Sequence, residues 1–364
     1  MPVNNTCFTQ FSLSIQNYSL PERFTFPFCY EPHPLCLLAA EELQQKLASN
    51  EVLQQELQNT GKMFGVLIVE SIQGEVGYLT AFSGKSIASK EVIDNEIKFV
   101  PPVYELDEKK GFFLKENLII NQLNSELESL LENPKLQQYQ STLQSLLAQQ
   151  NEHIEKQYVL MAANRKVRKE KRSQLSKNAN GNQLAKELEH LAKESVKDKN
   201  QLRDIKQYWL ELVNEATAKL AKLTNEIEAI KKQRKRLSTR LQKKIFKQYR
   251  MLNSRGIEKD LIALFQKTPY PIPPAGTGDC AAPKLLQYAF AQQMKPIAMA
   301  EFWWGRAPKS EIRQHKNFYG ACSGKCQPIL SHMLEGIELD DNPLLENPAE
   351  AKSLDIFYHD DAIV

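Results

Sequence analysis

Residues 62–85, "KMFGVLIVESIQGEVGYLTAFSGK", decide the fold. Two apolar, β-rich runs, 63–69 and 75–83, flank the dipeptide Gln73-Gly74. Residues of this kind suit a pleated surface, and a short Gly-containing break between two such runs signals a hairpin. A small sheet begins here.

Upstream, the aromatic and Pro-rich stretch "PERFTFPFCYEPHPLC" (21–36) leads into "LCLLAAEELQQKLASN" (35–50), where Leu38, Ala39, Leu43 and Leu47 repeat at helical spacing. Downstream of the hairpin the character changes. From 117 to 254 Leu, Gln, Glu, Lys and Arg dominate, with a break at Asn133-Pro134 and a polar turn "NANGN" at 178–182. In the second half, Trp209, Val213, Ala216, Leu220, Leu223, Ile227, Ile230, Leu237 and Leu241 keep to a heptad seam, interrupted where Arg234 fills an apolar slot. Two long helices joined by a short polar turn predict an antiparallel hairpin, an arm on the order of 70–100 Å at about 1.5 Å per residue. Homodimerisation through the same seam is the rival reading.

A Pro/Gly-rich boundary at 269–278 precedes renewed globular character: a helix in "CAAPKLLQYAFAQQ", a buried strand in "KPIAMAEFWWG" and a helix in "CQPILSHML". The predicted fold class is therefore mixed, α+β or α/β: a small sheet-and-helix domain built from 1–116 and 255–338, interrupted by the coiled coil of 117–254. Residues 339–353, acidic and interrupted by Pro, read as a linker.

At 364 residues and 42% hydrophobic content the chain can hold two or three domains and at least one core. The N-terminal segment has no basic n-region followed by an apolar h-region, and no apolar run approaches the roughly 20 residues that span a bilayer. The expectation is a cytoplasmic protein whose six cysteines are reduced thiols or metal ligands. There is no GxxxxGK[ST], GxSxG or HExxH, so nucleotide hydrolysis and serine or zinc-protease chemistry have no support.

The net charge is only +3, yet residues 231–250, "KKQRKRLSTRLQKKIFKQYR", carry ten Lys or Arg and no acid. Like charges at i,i+3 and i,i+4 destabilise a helix by a few tenths of a kcal/mol per pair. A polyanion would offset that cost through counterion release. Candidate RNA contacts are Lys231, Lys232, Arg234, Lys235, Arg236, Arg240, Lys243, Lys244 and Lys247, with Lys166, Arg168, Lys171 and Arg172 from the first helix. A solvated helical surface is the competing reading. Trp303 and Trp304, followed by Arg306, Lys309 and Arg313, have the composition of a base-stacking surface, although strand alternation places the two indoles on opposite faces.

Cys280, Cys322 and Cys326 could supply three zinc ligands and leave a fourth position open, with His315 and His332 as nearby alternatives. Buried inert thiols, a structural zinc site and an enzyme's zinc site all remain open on these residues. Cys29, Cys36 and His33 form a second, less suggestive group, better read as packing. The order of strand hairpin, Cys-bearing helix, strand and Cys-pair helix resembles the deaminase superfamily, with Cys280 as first ligand and Cys322 and Cys326 as the paired ligands. The sequence departs from that pattern in three places. Ala282 stands where the proton-shuttling Glu belongs, the cysteine pair has an extra intervening residue, and Ala321 replaces Pro. Glu301 and Asp279 are the candidate substitute acids.

A second resemblance spans the chain. "FCYEPHPLCLLAAEELQ" (28–44), "PPAGTGDCAAPKLLQYAF" (273–290), "MAEFWWG" (299–305) and "GACSGKCQPILSHML" (320–334), with a coiled coil between the first and second, resemble the N-terminal extension of large RluA-type RNA pseudouridine synthases. The resemblance implies an accessory region that engages structured RNA, rRNA or tRNA, without a cofactor for uridine isomerisation. It also implies that "LDIFYHDDAIV" (354–364) opens a catalytic domain. The family's catalytic Arg-Leu-Asp occurs nowhere, so no catalytic residue is assigned, and Asp360 and Asp361 belong to the opening turn.

Overall fold

The computed structural model describes residues 7–87, 97–107, 111–178, 181–269, 271–308 and 313–344. In chain order the elements are α1 (Pro34–Ser49), α2 (Glu51–Asn59), β1 (Lys62–Glu70), β2 (Val76–Phe82), α3 (Gly111–Leu131), α4 (Pro134–Asn178) and α5 (Asn182–Phe246). They are followed by β3 (Arg250–Leu252), β4 (Glu258–Asp260), α6 (Leu261–Phe265), α7 (Ala281–Ala291), β5 (Lys295–Trp304) and α8 (Ser323–Met333). The chain divides into two compact units, 1–108 with 241–364, and 109–240. The mixed α and β class expected from the sequence holds.

In the first unit β1 and β2 form the predicted antiparallel hairpin, with Phe64 opposite Phe82 and Glu70 opposite Val76. β5 pairs antiparallel with the other edge of β1, giving the order β2-β1-β5. Successive strand residues face opposite sides, and here both sides are covered. Phe64, Val66 and Ile68 pack with Leu35, Leu43, Leu47 and Leu53 of α1 and α2. Leu67, Val69 and Met299 pack with Leu285, Leu286, Ile329 and Leu330 of α7 and α8. Burial on two faces explains why the opening stretch is continuously apolar rather than alternating.

Helix ends follow local chemistry. The His33 imidazole accepts from the Leu35 N–H at 3.2 Å, and Pro34, which needs no donor, opens α1. Asn50, the expected end of one helix, closes α1 and at once caps α2, its side chain accepting from Leu53 N at 3.0 Å. The β3–β4 hairpin has no counterpart among the sequence-based expectations. Its strands are three residues each, and its turn is held by the Asn253 side chain, which accepts from Arg255 N at 3.0 Å and Ile257 N at 2.8 Å.

Residues 339 and 340, expected to open the linker, are instead held against Phe24. Phe24 N donates to Glu338 O and Asp340 N to Phe24 O, each at 2.8 Å, and Asn342 is buried. Backbone pairing, not composition, holds this segment to the globular unit. Residues 345–353 of the expected linker and the expected catalytic-domain opening lie outside the described residues. Among the described residues no helix is long and apolar enough to cross a membrane.

The second unit holds α3, α4 and α5 up to Arg240. Its first helix opens at Gly111 rather than 117 and breaks at Asn133-Pro134, because Pro removes a helix donor. α5 ends at Phe246 rather than 254, since Phe246, Tyr249 and Met251 are drawn into the core of the first unit. Along the predicted seam Trp209, Ile227 and Ile230 are buried, and Arg234 is exposed. Partners on α3 and α4 meet α5 in opposite order. Glu116 pairs with Arg240, Asn124 with Arg234, His153 with Trp209, Tyr158 with Lys206, and Asn164 with Asp198.

Candidate metal centre

Cys280 is the N-cap of α7 and Cys322 the N-cap of α8, with Cys326 one turn into α8. Two helix N-termini thus deliver thiols to one point, and the partial positive charge at such ends favours thiolate. The three sulfurs lie within 4.8 Å of one another, and Cys322 Sγ to Cys326 Sγ is 3.5 Å. A tetrahedral zinc with Zn–S bonds near 2.3 Å would set sulfurs about 3.8 Å apart. The observed spacing therefore fits a metal with only small adjustment. Cys280 is half-buried, Cys322 exposed and Cys326 buried.

The protons are shared unequally. Hydrogen bonds from Cys280 and Cys326 pull the Cys322 thiol far down, while hydrogen bonds with Cys280 and then Cys322, aided by burial, hold Cys326 up. Cys280 is raised too, chiefly by its hydrogen bond with Cys322. Three negative charges this close cannot coexist without a cation. A divalent ion would release the remaining protons and use all three sulfurs.

The closeness of α7 to the sheet depends on Gly65. A Cβ there would lie 3.0 Å from both Ala281 Cβ and Leu285 Cδ1, and 3.5 Å from Glu301 Cγ. Gly278, at φ +90°, turns the chain into Cys280, and a Cβ on it would meet the Tyr249 ring at 2.8 Å.

Glu301, opposite Gly65 in the sheet, is 3% exposed and accepts from the Ala282 N–H at 3.2 Å. A carboxylate thus reaches the α7 N-terminus from the neighbouring strand, at the residue where the deaminase pattern places its Glu. Burial raises Glu301 to about 7, against the opposing Ala282 N–H, so it can exchange a proton near neutrality. Asp279, the other candidate acid, accepts from the Tyr249 hydroxyl at 2.8 Å and is buried. Lys284, not singled out in the sequence, is 2% exposed, donates to Phe82 O at 2.8 Å and Gly84 O at 2.5 Å, and is lowered by burial to about 8. Its position four residues after Cys280, one helical turn away, was the signal available.

The histidine alternatives are occupied elsewhere. His315 Nδ1 accepts from Gly305 N at 3.0 Å, and His332 Nε2 faces the carbonyls of Met251 and Ile257 at 3.1 and 3.2 Å. His33 caps α1 and Cys36 is buried in the core, so the N-terminal group is packing. Trp304 is buried, while Trp303 is half-buried with Nε1 donating to Arg306 O at 3.2 Å.

Of the expected RNA contacts, Arg168 is corrected. It is 8% exposed and ion-paired with Asp198 at 2.7 Å, because Asp198 falls on the inward face of α5 and needs a partner. Lys166, Lys171 and Arg172 are exposed, as are Lys232, Lys235 and Arg236. Lys231 pairs with Glu228 at 2.8 Å, Arg240 with Glu116 at 3.4 Å, and Arg234 donates to Asn124. In the other unit Lys243 and Lys247 are exposed and Lys244 half-buried. Comparison with known proteins finds no matching family model, no matching curated protein and no matching solved structure.

Proposed function

We propose that the chain is an accessory, RNA-engaging region of a pseudouridine synthase, acting through a long antiparallel coiled-coil hairpin. The carrying observation is the exposed cationic run on α5, where Lys232, Lys235 and Arg236 sit within a 20-residue stretch that contains no acid. Lys and Arg on a helix surface contact phosphates without reading bases, so the run positions RNA rather than selecting a sequence. The opposite-order pairing of Glu116, His153 and Asn164 with Arg240, Trp209 and Asp198 supports the hairpin. Burial of Trp209, Ile227 and Ile230 within a single chain favours it over a homodimer seam. Uridine isomerisation is not assigned to any residue of this chain, which has no Arg-Leu-Asp.

The test is binding of the purified chain to a structured RNA and to a duplex DNA of equal length across a salt series. RNA-preferring binding with a steep salt slope is expected. No binding to either at moderate salt overturns the reading.

A second reading is favoured by the three sulfurs: a zinc-binding, deaminase-like shell with Cys280, Cys322 and Cys326 as ligands. The order β1–β2, α7, β5, α8 supports the resemblance. Bound zinc would act as a Lewis acid toward a fourth ligand. Glu301, in the absence of a Glu at 282, is the residue that could hold a proton beside it. Zinc content of the purified chain by mass spectrometry tests this reading, and a metal-free chain after growth in zinc would sink it.

A further inference from the structure

We propose that Cys322 and Cys326 form a peroxide-sensitive dithiol that closes to a disulfide and, in closing, dismantles the three-thiol site. The proposal rests on the geometry of the cysteine cluster and is independent of the RNA reading. Of the three residues Cys322 is the exposed one, and the sulfur of the buried Cys326 lies 3.5 Å from its own. An accessible thiol with a shielded partner in reach is the arrangement that converts sulfenic acid to disulfide before further oxidation. Cys322 also stands at the N-terminus of an 11-residue helix. As an N-cap, at φ −71° and ψ 136°, it lies outside the helical backbone geometry and can move the remaining distance to bond length without unwinding α8. Cys7, Cys29 and Cys36 are absent from the cluster, and Cys36 is fully buried.

The chemistry balances with hydrogen peroxide as oxidant. The Cys322 thiolate attacks one peroxide oxygen, an S–O bond forms, the O–O bond breaks and hydroxide leaves, taking a proton to become water. The sulfur is oxidised by two electrons and the peroxide reduced. Cys326 sulfur then attacks the sulfenic sulfur, an S–S bond forms and the S–O bond breaks. The departing hydroxide takes up the Cys326 proton, so two thiols and one peroxide give one disulfide and two waters. A disulfide leaves Cys280 as the sole thiol of the cluster, too few to hold zinc, so oxidation and metal occupancy exclude one another.

The test uses the full chain, reduced and metal-free or zinc-loaded, exposed to hydrogen peroxide and read by thiol blocking, peptide mapping and a chromogenic zinc chelator. In the metal-free chain the Cys322–Cys326 disulfide should form about tenfold faster than oxidation at Cys7 or Cys29. Zinc should slow it, and zinc release should track disulfide formation. If zinc never binds, the two arms coincide and the disulfide still forms, so the metal reading fails by itself. Cys326→Ser should let a 1,3-dione trap Cys322 as sulfenic acid. Because that substitution is buried, Cys322→Ser, which keeps a good N-cap, serves as the folded control and should abolish the fast phase. Oxidation of Cys322 no faster than Cys29, or its passage to sulfinic acid with Cys326 still free, would overturn the proposal.

Discussion

A single atom distinguishes Cys280 from its surroundings: a sulfur at a helix start, close to two others that lie far along the sequence. The spacing of Cys322 and Cys326 was legible because residues four apart share a helix face. That Cys280 joins them was expected from its residue type and its place at a helix start, not from spacing, since nothing local in "GDCAAPK" fixes where α7 begins in space. Cys280→Ser should reduce bound zinc from about one equivalent to well below half, while Cys29→Ser should leave it unchanged; metal analysis after dialysis decides. Glu301 gives a pH signature. Its carboxyl titrates near 7 in the folded metal-free chain against an ordinary 4.5, so the native state keeps a proton that the unfolded state has already released. Stability from this group therefore falls as pH rises from about 4.5 to 7 and then levels, by on the order of 3 kcal/mol. Glu301→Gln should flatten that part of the profile in chemical denaturation; an unchanged slope would mean the carboxyl is not buried as described.

Among elements, the strands and long helices were readable because one rule governed each: two-sided burial for β1, a heptad seam for α5. What escaped were features set by a single side chain or by tertiary pull. Asn50 splits one helical run into α1 and α2. Asn253 holds a hairpin too short to show periodicity. Arg168, one of many bases in "NRKVRKEKRSQLSK", is buried only because Asp198 meets it across the helices. Arg168→Ala should destabilise the helical unit by about 3 kcal/mol, leaving the buried Asp198 carboxylate without its counter-charge, whereas replacing both Arg168 and Asp198 by Leu should cost little or stabilise. Thermal melts of the three chains separate these outcomes. Gly65→Val should force α7 off the sheet and cost about 1–3 kcal/mol or more, with weaker metal retention than a Val substitution at the exposed Gly74 turn.

For the molecule as a whole, charge pattern carried more than net charge. A balance of +3 conceals a 20-residue stretch with ten bases and no acid, and only position along the chain reveals it. Its partner could not be read from local sequence, because phosphate contacts carry no base information. The most direct test of the RNA account is the salt dependence of structured-RNA affinity for the native chain and for Lys232→Glu/Lys235→Glu/Arg236→Glu. These residues are exposed, so the variant should fold as the native chain does. The account predicts weaker binding at every salt concentration and a shallower slope of log affinity against log salt, by about 0.7–0.9 for each phosphate no longer neutralised. Identical affinity and slope in the two chains would contradict it.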